Sequence, residues 1–122
     1  MQTIEFPRSA WPKALNDFSA SHEGWPISVD VLAADIGAQP EVHDLPLVGV
    51  VAEDREGGTI VVSAAKQFDH ISHIIHAPSR VWVERTDEGA DVALQIESAD
   101  GTTIVRIGTP APPDTAKGRG KE

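Results

Sequence analysis

The feature that most constrains this chain is a change of hydrophobic period. Early on, Trp11, Leu15 and Phe18 recur at i, i+4 and i+7, the spacing of one helix face. Ser9 stands where an N-cap belongs, Pro12 falls in the first turn where its missing N–H costs nothing, and Gly24 follows as a stop. The spacing predicts a helix over about 9–22. From Trp25 the period becomes two. In "WPISVDVL" Trp25, Ile27, Val29 and Val31 share one side and Ser28 and Asp30 the other, the mark of a half-buried strand.

Further runs follow in the same style. "EVHDLPLVGVVAED" predicts a strand from about Pro46 to Glu53, and Pro46 and Gly49 inside it predict an edge, a bulge or a sharp bend. "TIVVSA", "RVWVERT", "DVALQIES" and "TTIVRI" are strands, punctuated by turn signals at "AADIGAQP", "REGGT" and "ADG". Asp100-Gly101 supplies the positive φ of a tight hairpin. One helix followed by six to seven short strands, with no βαβ alternation, places the chain in the mainly β (α+β) class. The expected architecture is a small, bent antiparallel β-barrel of SH3-like type, its N-terminal helix covering one opening.

At 122 residues the chain has room for one domain, taken as residues 1–107. From Gly108 it reads "GTPAPPDTAKGRGKE", without a large apolar residue, so 108–122 is expected to be a disordered tail. That tail holds two acids and three bases, and since the whole chain carries −9, residues 1–107 carry −10. Such a body repels phosphate backbones, and its seven Lys and Arg are scattered from Arg8 to Arg106, so no nucleic-acid partner is expected. The absence of cysteine excludes disulfide scaffolds, thiolate metal sites and cysteine nucleophiles. No export signal and no long apolar run is visible, so no membrane partner and a cytoplasmic location are expected.

The stretch "DHISHIIHAP" carries the most suggestive chemistry: His70, His73 and His76, three apart and led by Asp69. As a helix from Ser63, it would fan the three imidazoles over one side, where two could share a ligand. As a strand, it would send Ile71, His73 and Ile75 one way and His70, Ser72, Ile74 and His76 the other, breaking up the triplet. The β-branched isoleucines favour the strand, and Pro78 then suggests a hairpin into "RVWVERT", either with Ile75 opposite Val81 and His73 opposite Val83 or in the alternative register that moves Trp82 onto that face. His-x-x-His-x-x-His is not the four-apart spacing of familiar zinc helices, so no metal is expected. On this reading His73 is a satisfied half-core residue, while His70 and His76 are solvated.

Other motifs say less. Glu53, Asp54 and Glu56 cluster at a hairpin tip without an alternating oxygen-ligand pattern, and "EGGT" lacks the lysine and length of a phosphate loop. Trp11, Trp25 and Trp82 read as core residues. No Gly-x-Ser-x-Gly is present.

End to end, "IEFPRSAWPKALNDFSASHEGW", "IGAQPEVHDLPLVGV", "DHISHIIHAPSRVWVERTDEGA" and "LQIESADGTT" resemble a family of short bacterial proteins classed as a domain of unknown function, over residues 4–107. The resemblance implies one domain and no mechanism. The leading expectation is a non-catalytic small β-barrel module, without catalytic residues or cofactor, that binds a protein partner or small ligand or self-associates as a homo-oligomer. His70, His73, His76 and Trp82 are the candidate contacts, and short strand edges with an exposed Trp82 or Ile74 would offer the surface. The alternative is a metal-dependent or acid/base enzyme built on Asp69, His70, His73 and His76.

Overall fold

The computed structural model describes residues 1–33, 37–53 and 58–108. Residues 34–36 and 54–57, including Asp54 and Glu56 of the acidic cluster, lie outside the described residues, as does the expected tail beyond Gly108. The elements in chain order are β1 (Gln2–Phe6), a 3-10 turn (Arg8–Ala10), α1 (Trp11–His22), β2 (Pro26–Ala33), β3 (Gly37–Glu53), β4 (Thr59–Lys66), β5 (Asp69–His76), β6 (Pro78–Arg85), β7 (Asp91–Ser98) and β8 (Gly101–Ile107). They form one antiparallel sheet in the order β1-β6-β7-β8-β2-β3-β4-β5.

This corrects the expected SH3-like barrel. Among the described residues the sheet is open, with β1 and β5 each paired on one side only, and a closed barrel would need a ladder between them. A strand also precedes the helix. Residues 2–6 pair with β6, Ile4 opposite Val83 and Phe6 opposite Val81, a partnership between distant parts of the chain.

Helix α1 buries Trp11, Leu15, Phe18 and His22, so the apolar stripe runs one step further than its hydrophobic residues. Its N-cap is Ala10, without a side-chain cap, because Ser9 is taken up by the preceding 3-10 turn that the Pro7 carbonyl closes on Ala10 N–H at 2.8 Å. Gly24, at φ +85, then turns the chain into β2.

The long strand β3 changes partner midway. Its first part pairs with β2 and its last part with β4, with register shifts on both sides, as Pro46 and Gly49 suggested. Where β2 diverges, the backbone of β3 would be left open, and other groups satisfy it. Leu47 N–H donates to the Trp25 carbonyl and its own carbonyl accepts from Gly24 N–H, each at 2.9 Å. Val50 N–H donates to the Ser19 hydroxyl of α1 at 2.8 Å, and that hydroxyl donates to the Leu15 carbonyl at 2.7 Å. The helix is thus tied to the bend by polar bonds as well as by its apolar stripe.

The inner faces meet in one core: Ile60, Val62, Ala64 and Ile75 from β4 and β5, Val81, Val83, Leu94, Ile96 and Val105 from β6, β7 and β8, and Leu15 of the helix. The hairpin expected between β5 and β6 is absent. Only Ala77 joins these strands, at φ +50, too short for a hairpin loop, and the chain turns a corner there. Ile75 therefore lies opposite Ile60 and His73 opposite Val62, on β4, while Val81 and Val83 face β1 and β7.

Candidate functional site

Residues 69–76 form a strand, and its alternation disperses the histidines. His73 is half-buried on the inner face, its Nε2 3.5 Å from the hydroxyl of buried Thr103 on β8. His70 and His76 are exposed on the outer face, roughly 20 Å apart at ~3.3 Å per residue. Asp69 shares the face of His73 but stands four positions away. Among the described residues, no three His, Asp or Glu side chains come together as a metal-ligand set. Trp82 lies on the outer face of β6, half-exposed, with the Arg80 guanidinium 5.1 Å from its ring centre. It sits near the β1 edge of the sheet, away in strand order from the β5 histidines.

The outer face of β3, β4 and β5 is distinctive. Val51 stands opposite Val61, and Val61 opposite Ile74, giving an apolar row across three strands. Val51 is 45% exposed and Ile74 50%. Beside the row, the Ser63 and Ser72 hydroxyls meet at 3.2 Å. Among the described residues no ion pair involves β4 or β5.

Strand β5 is an edge of 8 residues, matched to β4 without a register shift and free of Pro and Lys. Natural edges are usually blunted by such residues, by bulges or by shortness. The opposite edge is blunted: β1 has 5 residues, runs into Pro7 and carries Glu5 paired with Arg80 at 3.0 Å. The β4–β5 hairpin closes on Gln67 and Phe68. Gln67 holds φ +55 and Phe68 is 100% exposed at the tip. In such a two-residue hairpin the closing pair, Lys66 with Asp69, exchanges backbone hydrogen bonds, so the outward-pointing N–H and C=O groups of β5 belong to His70, Ser72, Ile74 and His76.

Two further features escaped the sequence reading. A cleft of about 410 Å³ lies where the start of α1 meets the ends of β3 and β4, lined by Arg8, Trp11, Ala52, Glu53, Thr59 and Pro78. The Arg8 guanidinium sits 4.8 Å from the Trp11 ring centre and donates to the Pro78 carbonyl at 3.2 Å. Gly58 makes room for it, since a Cβ there would lie 2.9 Å from Nη2 of Arg8. The second feature is buried His22. Its Nδ1 donates to the Phe18 carbonyl at 2.8 Å, its ring stands edge-on to Trp25, and its Nε2 is 3.7 Å from Asp91, which accepts from Arg85 at 2.6 Å. The signal for it was present: position 22 continues the 11, 15, 18 stripe. The cleft joins residues far apart in sequence, and no local pattern announces it.

A sequence profile described as a family of unknown function (DUF5335) matches residues 2–115. The chain belongs to this family. An uncharacterized protein of Aquifex aeolicus (strain VF5) is similar to it, 26% identical over 113 residues, which is 93% of this chain and 97% of that protein. No solved structure matches. The family carries no assigned activity, so membership supplies no role for any residue. Among the described residues no helix is long and apolar enough to cross a membrane.

Proposed function

We propose that this family member is a non-catalytic binding module whose working surface is the β5 edge together with the outer face of β3, β4 and β5, and that its partner is a protein strand. One observation carries the reading: an unblunted edge strand borders the exposed Val51–Val61–Ile74 row. Added strands gain affinity from main-chain hydrogen bonds and specificity from alternate side chains, and β5 offers four outward-facing residues for the first and Ile74 with Phe68 for the second. The buried His22–Asp91–Arg85 group is better suited to anchoring α1 on β6 and β7 than to chemistry, since its imidazole is spent on the helix backbone and lies under Trp25.

The test is photocrosslinking in cells that naturally make the protein, with the reactive residue placed at Ile74 or, as control, at Arg106 on the other outer face. Discrete protein adducts from position 74 and none from 106 are expected. No adduct from 74, or equal adducts from both, would sink the reading.

The cleft favours a second reading, a small-ligand site. Its volume lies within the usual range for such sites, and it sets the Trp11 ring beside Pro12, Ala52 and Pro78. Screening small neutral aromatic compounds by NMR tests it. Binding should move the Trp11 indole and the Thr59 amide together, and no shift at millimolar ligand would contradict it.

A further inference from the structure

Resting on the β5 reading above, we infer that the strand added to β5 is the β5 of a second copy, paired antiparallel about a two-fold axis through Ile71.

The first ground is charge. The body as a whole carries −10, yet Thr59 to His76 contains one Lys and one Asp, a net of zero with neutral histidines. Two strongly acidic molecules repel least where this hairpin faces its copy.

The second ground is complementarity, which selects a register. A two-fold axis perpendicular to the sheet keeps inner faces together, so only residues of the same parity can stand opposite one another. With the axis at Ile71, Asp69 of each copy faces His73 of the other, an acceptor against an imidazole, on either side of an Ile71–Ile71 pair. Phe68, 100% exposed, then faces Ile74, 50% exposed, which covers the two most prominent apolar side chains of the hairpin at once. His70 and Ser72 face each other with their backbone groups outward, as the ladder requires. An axis at Ser72 would instead set Asp69 against Ile75 and Phe68 against His76. An axis at His73 would set the two His73 rings together and leave Asp69 and Phe68 without partners. Only the Ile71 axis satisfies both charge and apolar area. It also gives the strained Gln67–Phe68 turn a purpose, because it projects an aromatic to where the partner's Ile74 lies.

The chain has no cysteine, so single introduced cysteines report only contacts between copies. On the axis, Ile71 and its copy form a non-hydrogen-bonded pair with Cα atoms about 4.5 Å apart, within disulfide reach. Ser72 and its copy would be about 8 Å apart and His73 and its copy about 14 Å, both out of reach. The experiment measures sedimentation of the full chain over a concentration series, alongside mild oxidation of Ile71→Cys, Ser72→Cys and His73→Cys. A species of twice the 13.0 kDa chain mass is expected, with Ile71→Cys linking at least tenfold faster than the other two. Faster linking at 72 or 73 overturns the register. A chain that stays monomeric throughout, with the Ile71→Cys variant unlinked, overturns the second copy as partner. In that event adducts of other masses from position 74 would leave the β5 surface standing, whereas a dimer unlinked at all three positions would place association elsewhere and remove both claims.

Discussion

The two ends of the sheet obey one rule on the inside and opposite rules on the outside. Within, both halves present β-branched and leucine side chains to a shared core. Without, β1, β6, β7, β8 and β2 are laced by charge: Thr3 to Glu84, Arg80 to Glu5 and Glu97, and Arg106 to Asp30. Even Trp82 is covered there by Arg80. Strands β4 and β5 carry no ion pair among the described residues, and the outer face there shows Val61, Ile74 and, at the hairpin tip, Phe68, beside Val51 of β3. Burial explains neither difference, since both faces are outside the core. What separates them is that one is laced by charge and the other is largely apolar.

The most damaging test of this comparison is truncation of the shared core. Leu94→Ala on β7 and Ile60→Ala on β4, both fully buried, should each cost about 2–5 kcal/mol in denaturant unfolding and leave a single transition. Two separate transitions, or a negligible cost for Ile60→Ala, would show that the halves do not share a core.

Next comes the joint between them. Ser19→Ala removes the acceptor of Val50 N–H at the bend of β3 and should cost about 1–3 kcal/mol, whereas exposed Ser79→Ala on β6 should cost little. Equal costs would mean that solvent satisfies the bend.

The outer faces should then diverge. Ile74→Lys should change the stability of the isolated chain by no more than about 0.5 kcal/mol, since the site is half-exposed. It should also weaken self-association at least tenfold, by sedimentation, because a lysine on an edge opposes added strands. Arg106→Gln should change neither by much. Association that survives Ile74→Lys and falls with Arg106→Gln would invert the comparison.

The smallest effect is expected from Glu5. The hydrogen bond from Arg80, assisted by its charge, holds this carboxyl below the usual carboxylate value. A folded-state value lowered in this way adds stability above the unfolded value of about 4.3, and that stability is lost as pH falls through the folded value. Glu5→Gln should therefore be slightly less stable than the parent at pH 7, with the gap closing below about pH 4. The site is open to water, so the gap is small throughout.

What the sequence made legible was local. The stripe of Trp11, Leu15 and Phe18 announced the helix, the isoleucines of 71–75 announced a strand, and Pro46 with Gly49 announced the bend of β3. What it hid was pairing. Pro78 ahead of "RVWVERT" invites a hairpin with 69–76, yet β6 takes β1 from the far end of the chain, and nothing in either segment encodes that choice alone. The 5-residue β1 is too short for its alternation to stand out, and the open edge at β5 follows from the same non-local pairing. His22 was hidden differently, since a polar residue on an apolar stripe reads as its end. The histidine triplet was legible as a strand pattern, but the place of that strand at the end of the sheet was not.

Amide hydrogen exchange followed as a function of protein concentration tests the central claim most directly. At low concentration the outward amides of His70, Ser72 and Ile74 should exchange as freely as those on the outer side of β1. As concentration rises, protection should grow at His70, Ser72 and Ile74 and stay unchanged along Gln2–Phe6. Protection that ignores concentration at β5, or that grows equally at both edges, would contradict the assignment of β5 as the edge through which this protein meets its copy.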